Sequence, residues 1–192
     1  MKIDLQTQLQ RYLGLDEREV AAAISNMADG ASTLMDIGAN DGYYTLAFLR
    51  SEAERVISCE PGPVSGDLLS NAAANGYAPS ARFTPHCRLV GTHHGELSLA
   101  ELIEGCPQPI FIKVDVEGSE VDVLRSSESG QQPRQISWVV ETHSLELENE
   151  CARWFLQKGY QTRVIRPAWW RWFLPEFRPA AHNRWLIAYP SP

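Results

Sequence analysis

The chain has 192 residues, 44% of them apolar, which is enough to bury a core and short enough to read as one domain with one site. Its 24 acidic and 17 basic residues give a formal charge of -7, without the basic footprint of a protein that grips phosphate backbones, so nucleic acid is disfavoured as a partner. The Gln-rich start lacks a signal-peptide core and no window reaches the roughly 20 apolar residues of a membrane span; with no CxxC pair among Cys59, Cys87, Cys106 and Cys151, a cytoplasmic protein with reduced thiols is expected.

Residues 1–30 read as an N-terminal helical segment, with Leu15, Val20, Ile24 and Met27 at helical spacing behind Asp16, Glu17 and Glu19. The rest, 31–192, opens with Thr33–Ile37 as a short apolar strand, a glycine turn, and a helix over Tyr44–Leu49. A second strand and helix follow at Arg55–Cys59 and Val64–Asn75, the helix entered through Pro61-Gly62-Pro63 and left at Gly76. Arg82–His86 is a third strand, Cys87–Gly95 has no clear period, and Leu97–Ile103 is a short helix. Ile110–Val116 is the near-continuous apolar run of a buried parallel strand, with a helix after it over Ser119–Ser126. Ile136–Thr142 and Leu147–Gln157 repeat the pattern, and Tyr160–Ile165 and Arg184–Tyr189 are strands that should pair antiparallel. Five strand-helix repeats and a closing hairpin predict an α/β fold: one doubly wound, mostly parallel seven-stranded sheet with an antiparallel edge strand.

In such sheets ligands bind beyond the carboxyl ends of the strands, where the strand order reverses. The first turn, Asp36-Ile37-Gly38-Ala39-Asn40-Asp41-Gly42, belongs there: Gly38 and Gly42 allow close backbone approach and Asp36 can reach a polar group. A tight structural turn needing glycine explains the same spacing. Glu60, ending the next strand, lies near the separation from Asp36 at which an acid accepts hydrogen bonds from a ribose. The turn is Gly-x-x-x-Gly, not the Gly-x-Gly-x-x-Gly of a dinucleotide site, and its acidic lip repels phosphate. A cationic, phosphate-free nucleoside, S-adenosylmethionine, fits that description. Nicotinamide-dependent oxidoreduction is the competing enzyme class.

Four stretches resemble the FkbM-type S-adenosylmethionine-dependent methyltransferases: Met35–Tyr44, Cys59–Pro63, Ile112–Glu120 and Val140–His143, together spanning about Leu34 to Tyr160. The third, Lys-x-Asp-x-Glu-Gly-x-Glu, carries most of the resemblance. It implies a class I fold, S-adenosylmethionine as methyl donor at Asp36, Gly38, Asn40, Gly42, Glu60 and Asp115, and usually O-methylation of a sugar or other small metabolite. His86–Thr92 departs from the small-residue stretch that family members often carry toward the adenine. A degenerate fold that only binds a partner is the non-enzymatic alternative.

Asp115 and Glu117 end the central strand, Lys113 sharing the face of Asp115. Asp115 is expected to orient the sulfonium or the acceptor, and Glu117 to cap the next helix or touch substrate; buried Lys113–Asp115 or Lys113–Glu117 pairs are the structural alternatives. Glu141 and His143 end the fifth strand on one face, and His143 is the best-placed general base. Asp115, Glu141 and His143 could instead hold a divalent ion, although the spacing does not demand one. His93 and His94 read as loop residues and Cys59 as a small buried group. Trp169 and Trp170, within the aromatic Pro167–Pro179 connection, are candidate substrate contacts, that segment reading equally as a lid or as a homodimer contact.

Overall fold

The computed structural model describes residues 18–128, 135–166 and 184–191. In chain order the elements are α1 (Arg18–Ala28), β1 (Thr33–Ile37), α2 (Tyr43–Leu49), β2 (Arg55–Cys59), α3 (Val64–Ala74), β3 (Phe83–His86), α4 (Leu99–Ile103), β4 (Ile110–Val114), α5 (Glu120–Ser126), β5 (Ile136–Thr142), α6 (Leu145–Gln157), β6 (Tyr160–Val164) and β7 (Arg184–Pro190). The strands form one sheet in the order β3-β2-β1-β4-β5-β7-β6. The first five are parallel, and β7 runs antiparallel to both of its neighbours. The expected antiparallel edge is thus a hairpin whose return strand inserts between β5 and β6. It leaves β6 pointing the same way as β5, so the connection after Val164 departs from the carboxyl edge of the sheet.

Burial on both faces explains the apolar runs. On one face Met35, Ile57, Ile112, Trp138 and Val140 pack with side chains of α4, α5 and α6. On the other, Leu34, Val56, Phe111 and Val139 pack with Val20, Ile24, Phe48 and Ala72 of the first three helices. All five residues of β4 are buried, as a strand flanked by β1 and β5 and covered on both faces must be. The alternation also explains the only charge inside it: Lys113 stands on the face of Phe111, directly across from Asp36 in the β1–β4 register.

Ends of elements follow local chemistry. Ser98 and Glu101 form a capping box that starts α4 two residues later than the periodicity alone predicts. Ser144 accepts the Leu147 N–H and opens α6 at Leu145. The fourth strand stops at Val114, two residues short of expectation. There the Asp115 N–H bonds to the Ile37 carbonyl at 2.9 Å, and the chain then turns through left-handed Glu117 (φ 47°) and Gly118 (φ 106°).

The first turn and the end of β4 lie almost against each other. A Cβ at Gly38 would stand 1.7 Å from the Asp115 carbonyl oxygen, and one at Gly42 would stand 2.6 Å from Leu68 of α3. These glycines therefore make room for protein as well as for any ligand. Gly38→Ala is expected to cost about 2–5 kcal/mol, left-handed strain of roughly 1–2 plus overpacking of roughly 1–3. Gly118→Ala, with φ also positive but nothing within 4 Å, should cost only the strain, about 1–2 kcal/mol. Urea denaturation of the two variants checks this, and equal losses would contradict the close approach.

Candidate functional site

Period-two alternation along three adjacent strands brings the predicted acids to one level at the carboxyl edge. Asp36 of β1 faces Lys113 of β4; Asp115 follows two residues on, and Glu141 continues the face of Val139, the β5 partner of Lys113. Lys113, 2% exposed, reaches Asp36 Oδ1 at 3.0 Å and Asp115 Oδ2 at 3.6 Å, and donates to the Gly38 carbonyl at 2.8 Å. Burial opposes its charge, but the carboxylates of Asp36 and Asp115 outweigh burial and hold its pKa above the ordinary lysine value. Tyr44 lies beneath this ammonium, its ring centroid 5.4 Å away.

The principal partner of Lys113 is thus Asp36, which the sequence placed on the cofactor. Asp36 is fully buried and also accepts the Thr45 hydroxyl at 2.7 Å. Its carboxylate is turned into the protein, where it sets the turn instead of lining the cleft. Thr45, three residues beyond Gly42, carried no signal in the sequence. Of the alternatives weighed for Lys113, the Asp115 contact is present, as the longer of its two ion pairs.

A cleft of about 440 Å³ opens beside the turn, lined by Gly38, Asn40, Glu60, Asp115 and Glu117 among the predicted residues. Gly42 is not on its wall. Asn40, left-handed at φ 50°, donates its N–H to Glu60 Oε2 at 2.8 Å, while Gly38 and Ala39 N–H groups bond to the Cys59 carbonyl. These bonds tie the first turn to the end of β2. Burial pushes the Glu60 carboxyl up, with Asp36 and Asp115 adding to the rise and the Asn40 bond and Lys113 opposing it. Burial raises the neighbouring Cys59 thiol far more, consistent with an inert packed group.

The opposite wall is the stretch that had no clear period. Leu89, 55% exposed, and Val90 flank the cleft with Arg88, and His93, Glu96 and Asp122 close its far end. Asp122 accepts both the N–H and the hydroxyl of Thr92, which holds its pKa low despite burial acting the other way. His93 does sit in a loop, as expected, but it faces this end of the cleft. His94 does not line it.

On the far side of Asp115 stand Glu141 and His143. The His143 Nε2 is 3.9 Å from Asp115 Oδ1 and 3.9 Å from Glu141 Oε2. Its Nδ1 hydrogen-bonds Glu120, a fully buried carboxylate that also accepts the Gly118 N–H at 3.1 Å. The bond to Glu120 orients the ring so that Nε2 points toward the two acids. Glu120 was visible only as the last letter of the Lys-x-Asp-x-Glu-Gly-x-Glu motif. Glu117 makes no helix cap; α5 begins after Ser119 without a side-chain cap, and Glu117 is exposed on the cleft. Trp169 and Trp170, and with them the lid and homodimer readings, lie outside the described residues.

No family model and no curated protein sequence matches the chain. Solved structures do. The ribosomal protein L11 methylase of Lactobacillus delbrueckii is 14% identical with a TM-score of 0.61, covering 90% of this chain and 76% of its own. An rRNA methylase of Streptococcus thermophilus is 10% identical with a TM-score of 0.60, covering 91% of this chain and 97% of its own. An O-methyltransferase of Bacillus cereus, solved with S-adenosylhomocysteine, is 13% identical with a TM-score of 0.59, covering 100% of this chain and 93% of its own. The chain has the Rossmann-like methyltransferase fold. Within that methyltransferase fold the narrower FkbM resemblance rests on its motifs alone, and the neighbours act on protein and RNA as well as by O-methylation, so fold does not choose the acceptor. Among the described residues no helix is long and apolar enough to cross a membrane.

Removing one partner of the Lys113–Asp36 pair strands a buried charge. Lys113→Met and Asp36→Asn should each cost about 3–5 kcal/mol, and the double variant should recover at least about 1 kcal/mol relative to their sum. Equilibrium denaturation of the four proteins measures the coupling, and additive losses would deny it.

Proposed function

We propose that the protein is an S-adenosylmethionine-dependent methyltransferase that acts on a hydroxyl of a sugar or other small metabolite. The observation that carries this reading is that one residue, Asp115, lines the cleft beside Glu60 and faces the acid-imidazole cluster on its other side. A nucleoside subsite and an acceptor subsite thereby share a wall. The Bacillus cereus fold neighbour, solved with S-adenosylhomocysteine, supports the same cofactor here.

The residues present fit that cofactor. Its volume class is right for a small-molecule site, and Glu60, Glu96, Asp115 and Glu117 against Arg88 suit a cationic ligand without phosphate. S-Adenosylmethionine, when bound, supplies an electrophilic methyl group on a sulfonium. Glu60 takes the ribose hydroxyls, pre-positioned by the Asn40 N–H, and Gly38 brings the backbone of the turn alongside. Val64, Leu89 and Val90 give the base an apolar wall, which answers for the missing small-residue stretch. Asp115 would hold the sulfonium end of the cofactor. His143 would take the acceptor proton on Nε2, with Glu120 stabilising the resulting imidazolium and Glu141 flanking it. Glu117 contacts the acceptor at the mouth. The acidic cleft and the net charge of -7 favour a small acceptor over nucleic acid, although the fold also serves RNA methylases.

Calorimetric titration with S-adenosylhomocysteine tests the reading. Wild type should bind in the micromolar range, and Glu60→Gln should bind roughly 10–100-fold more weakly, as expected for lost hydrogen bonds to a charged acceptor. Because the Glu60 carboxyl is raised and must be ionised to accept these bonds, wild-type affinity should fall on acidification at a higher pH than for an ordinary glutamate. In Glu60→Gln that limb should be absent. No binding at any pH would remove the methyltransferase reading in favour of a binding-only fold, and binding of NADH in its place would favour the oxidoreductase.

A further inference from the structure

Beside the cleft, three atoms of metal-ligand type converge: Asp115 Oδ1, Glu141 Oε2 and His143 Nε2. The His143 Nε2 is 3.9 Å from each of the two oxygens, and each of the three residues offers a ligand atom within 4.8 Å of the others. Donors of one imidazole and two carboxylates at this spacing are close enough to share a single divalent cation. We propose that Asp115, Glu141 and His143 bind one divalent cation of the Mg²⁺/Mn²⁺ class, with Glu120 as the residue that orients the imidazole.

Three features beyond proximity support this. The Nδ1 of His143 is occupied by fully buried Glu120, the arrangement that fixes tautomer and ring plane of a ligating histidine and leaves Nε2 to the ion. Lys113 is committed to Asp36 and the Gly38 carbonyl and approaches Asp115 at Oδ2, at 3.6 Å, while His143 approaches the same carboxylate at Oδ1. The side chains of Asp115, Glu141 and His143 are 30%, 8% and 21% exposed, sheltered enough to hold an ion and open enough to leave positions for water and a ligand. One nitrogen and two carboxylates form a mixed set suited to Mn²⁺ or Mg²⁺ with water completing the shell. The binding stands apart from the methyltransferase reading; only its catalytic consequence rests on it. With the ion in place Nε2 is a ligand, so the acceptor hydroxyl loses its proton to solvent because the cation lowers its pKa, and the His143 base role applies to the ion-free enzyme.

The test uses the full chain stripped with EDTA and titrated with Mn²⁺, followed by loss of the free-ion electron paramagnetic resonance signal, with spin-echo modulation reporting nitrogen on the ion. Wild type should bind one equivalent with imidazole modulation. Glu141→Gln and His143→Ala should weaken binding at least tenfold with circular dichroism unchanged, and Glu120→Gln should weaken it by roughly 10–100-fold while retaining the modulation. Glu60→Gln should bind Mn²⁺ as wild type does while losing S-adenosylhomocysteine. Absence of Mn²⁺ binding at millimolar concentration, binding without nitrogen modulation, or binding indifferent to the Glu141 and His143 changes overturns the cation site. S-Adenosylhomocysteine titrated in parallel keeps the two readings distinguishable, since its binding without Mn²⁺ sinks only the ion and the reverse sinks only the cofactor.

Discussion

A lysine ammonium buried in the centre of the sheet needs three acceptors or it must lose its charge, and Lys113 finds them at the ends of two strands and in the turn between. Asp36 supplies a cross-strand carboxylate, Gly38 a carbonyl, and Asp115 a second carboxylate from just beyond the end of β4. Because Lys113 is 2% exposed, these partners are obligatory, and satisfying them fixes where β1 ends, how the first turn lies and which way Asp115 points. The requirement that Gly38 lack a side chain follows from the same crowding, since the turn can reach the ammonium only by passing against the Asp115 carbonyl.

From that centre two groups of residues diverge, one lining the cleft and one beside it. The cleft side is built of backbone: the left-handed Asn40 offers its N–H to Glu60, and the turn's own N–H groups are spent on Cys59. The other side is built of side chains, with Glu120 behind His143 and two carboxylates before it. Asp115 stands in the partition. Under the proposed function this arrangement would separate cofactor recognition, which needs shape and a few fixed acceptors, from acceptor activation, which needs groups able to exchange protons or hold an ion.

The far end of the cleft obeys a different constraint. Gly91 has the carboxylates of Glu96 and Asp122 crowded over the place a side chain would take, and both acids are held by local N–H donors from Thr92 and His93. The irregular backbone of 87–95 is shaped by these bonds, none of which has a period. That is why the stretch was unreadable as an element and why Arg88, Leu89 and Val90 went unassigned as cleft residues.

Much of the fold was legible because each of its signals is local. Strands buried on both faces are written as apolar runs and turns as glycine, so the seven strands and the helices between them could be placed to within two residues, while the capping serines Ser98 and Ser144 account for the two-residue shifts of α4 and α6. Face alternation also determined that Glu141 and His143 share a side, since the period of a strand is two residues, whereas the register of β4 on β5 brought Asp115 to them. What the tertiary structure alone decided was partnership. Asp36 looked like a ligand contact and proved to be the counter-ion of Lys113, because the register of β1 on β4 is not encoded in either strand by itself. Glu120 looked like one more acid in the first turn of a helix and proved to be the residue behind His143, because the two meet only when α5 packs back beside the end of β5. Local sequence determines which way a side chain points along its own element; what it meets there depends on the packing of elements distant in the chain.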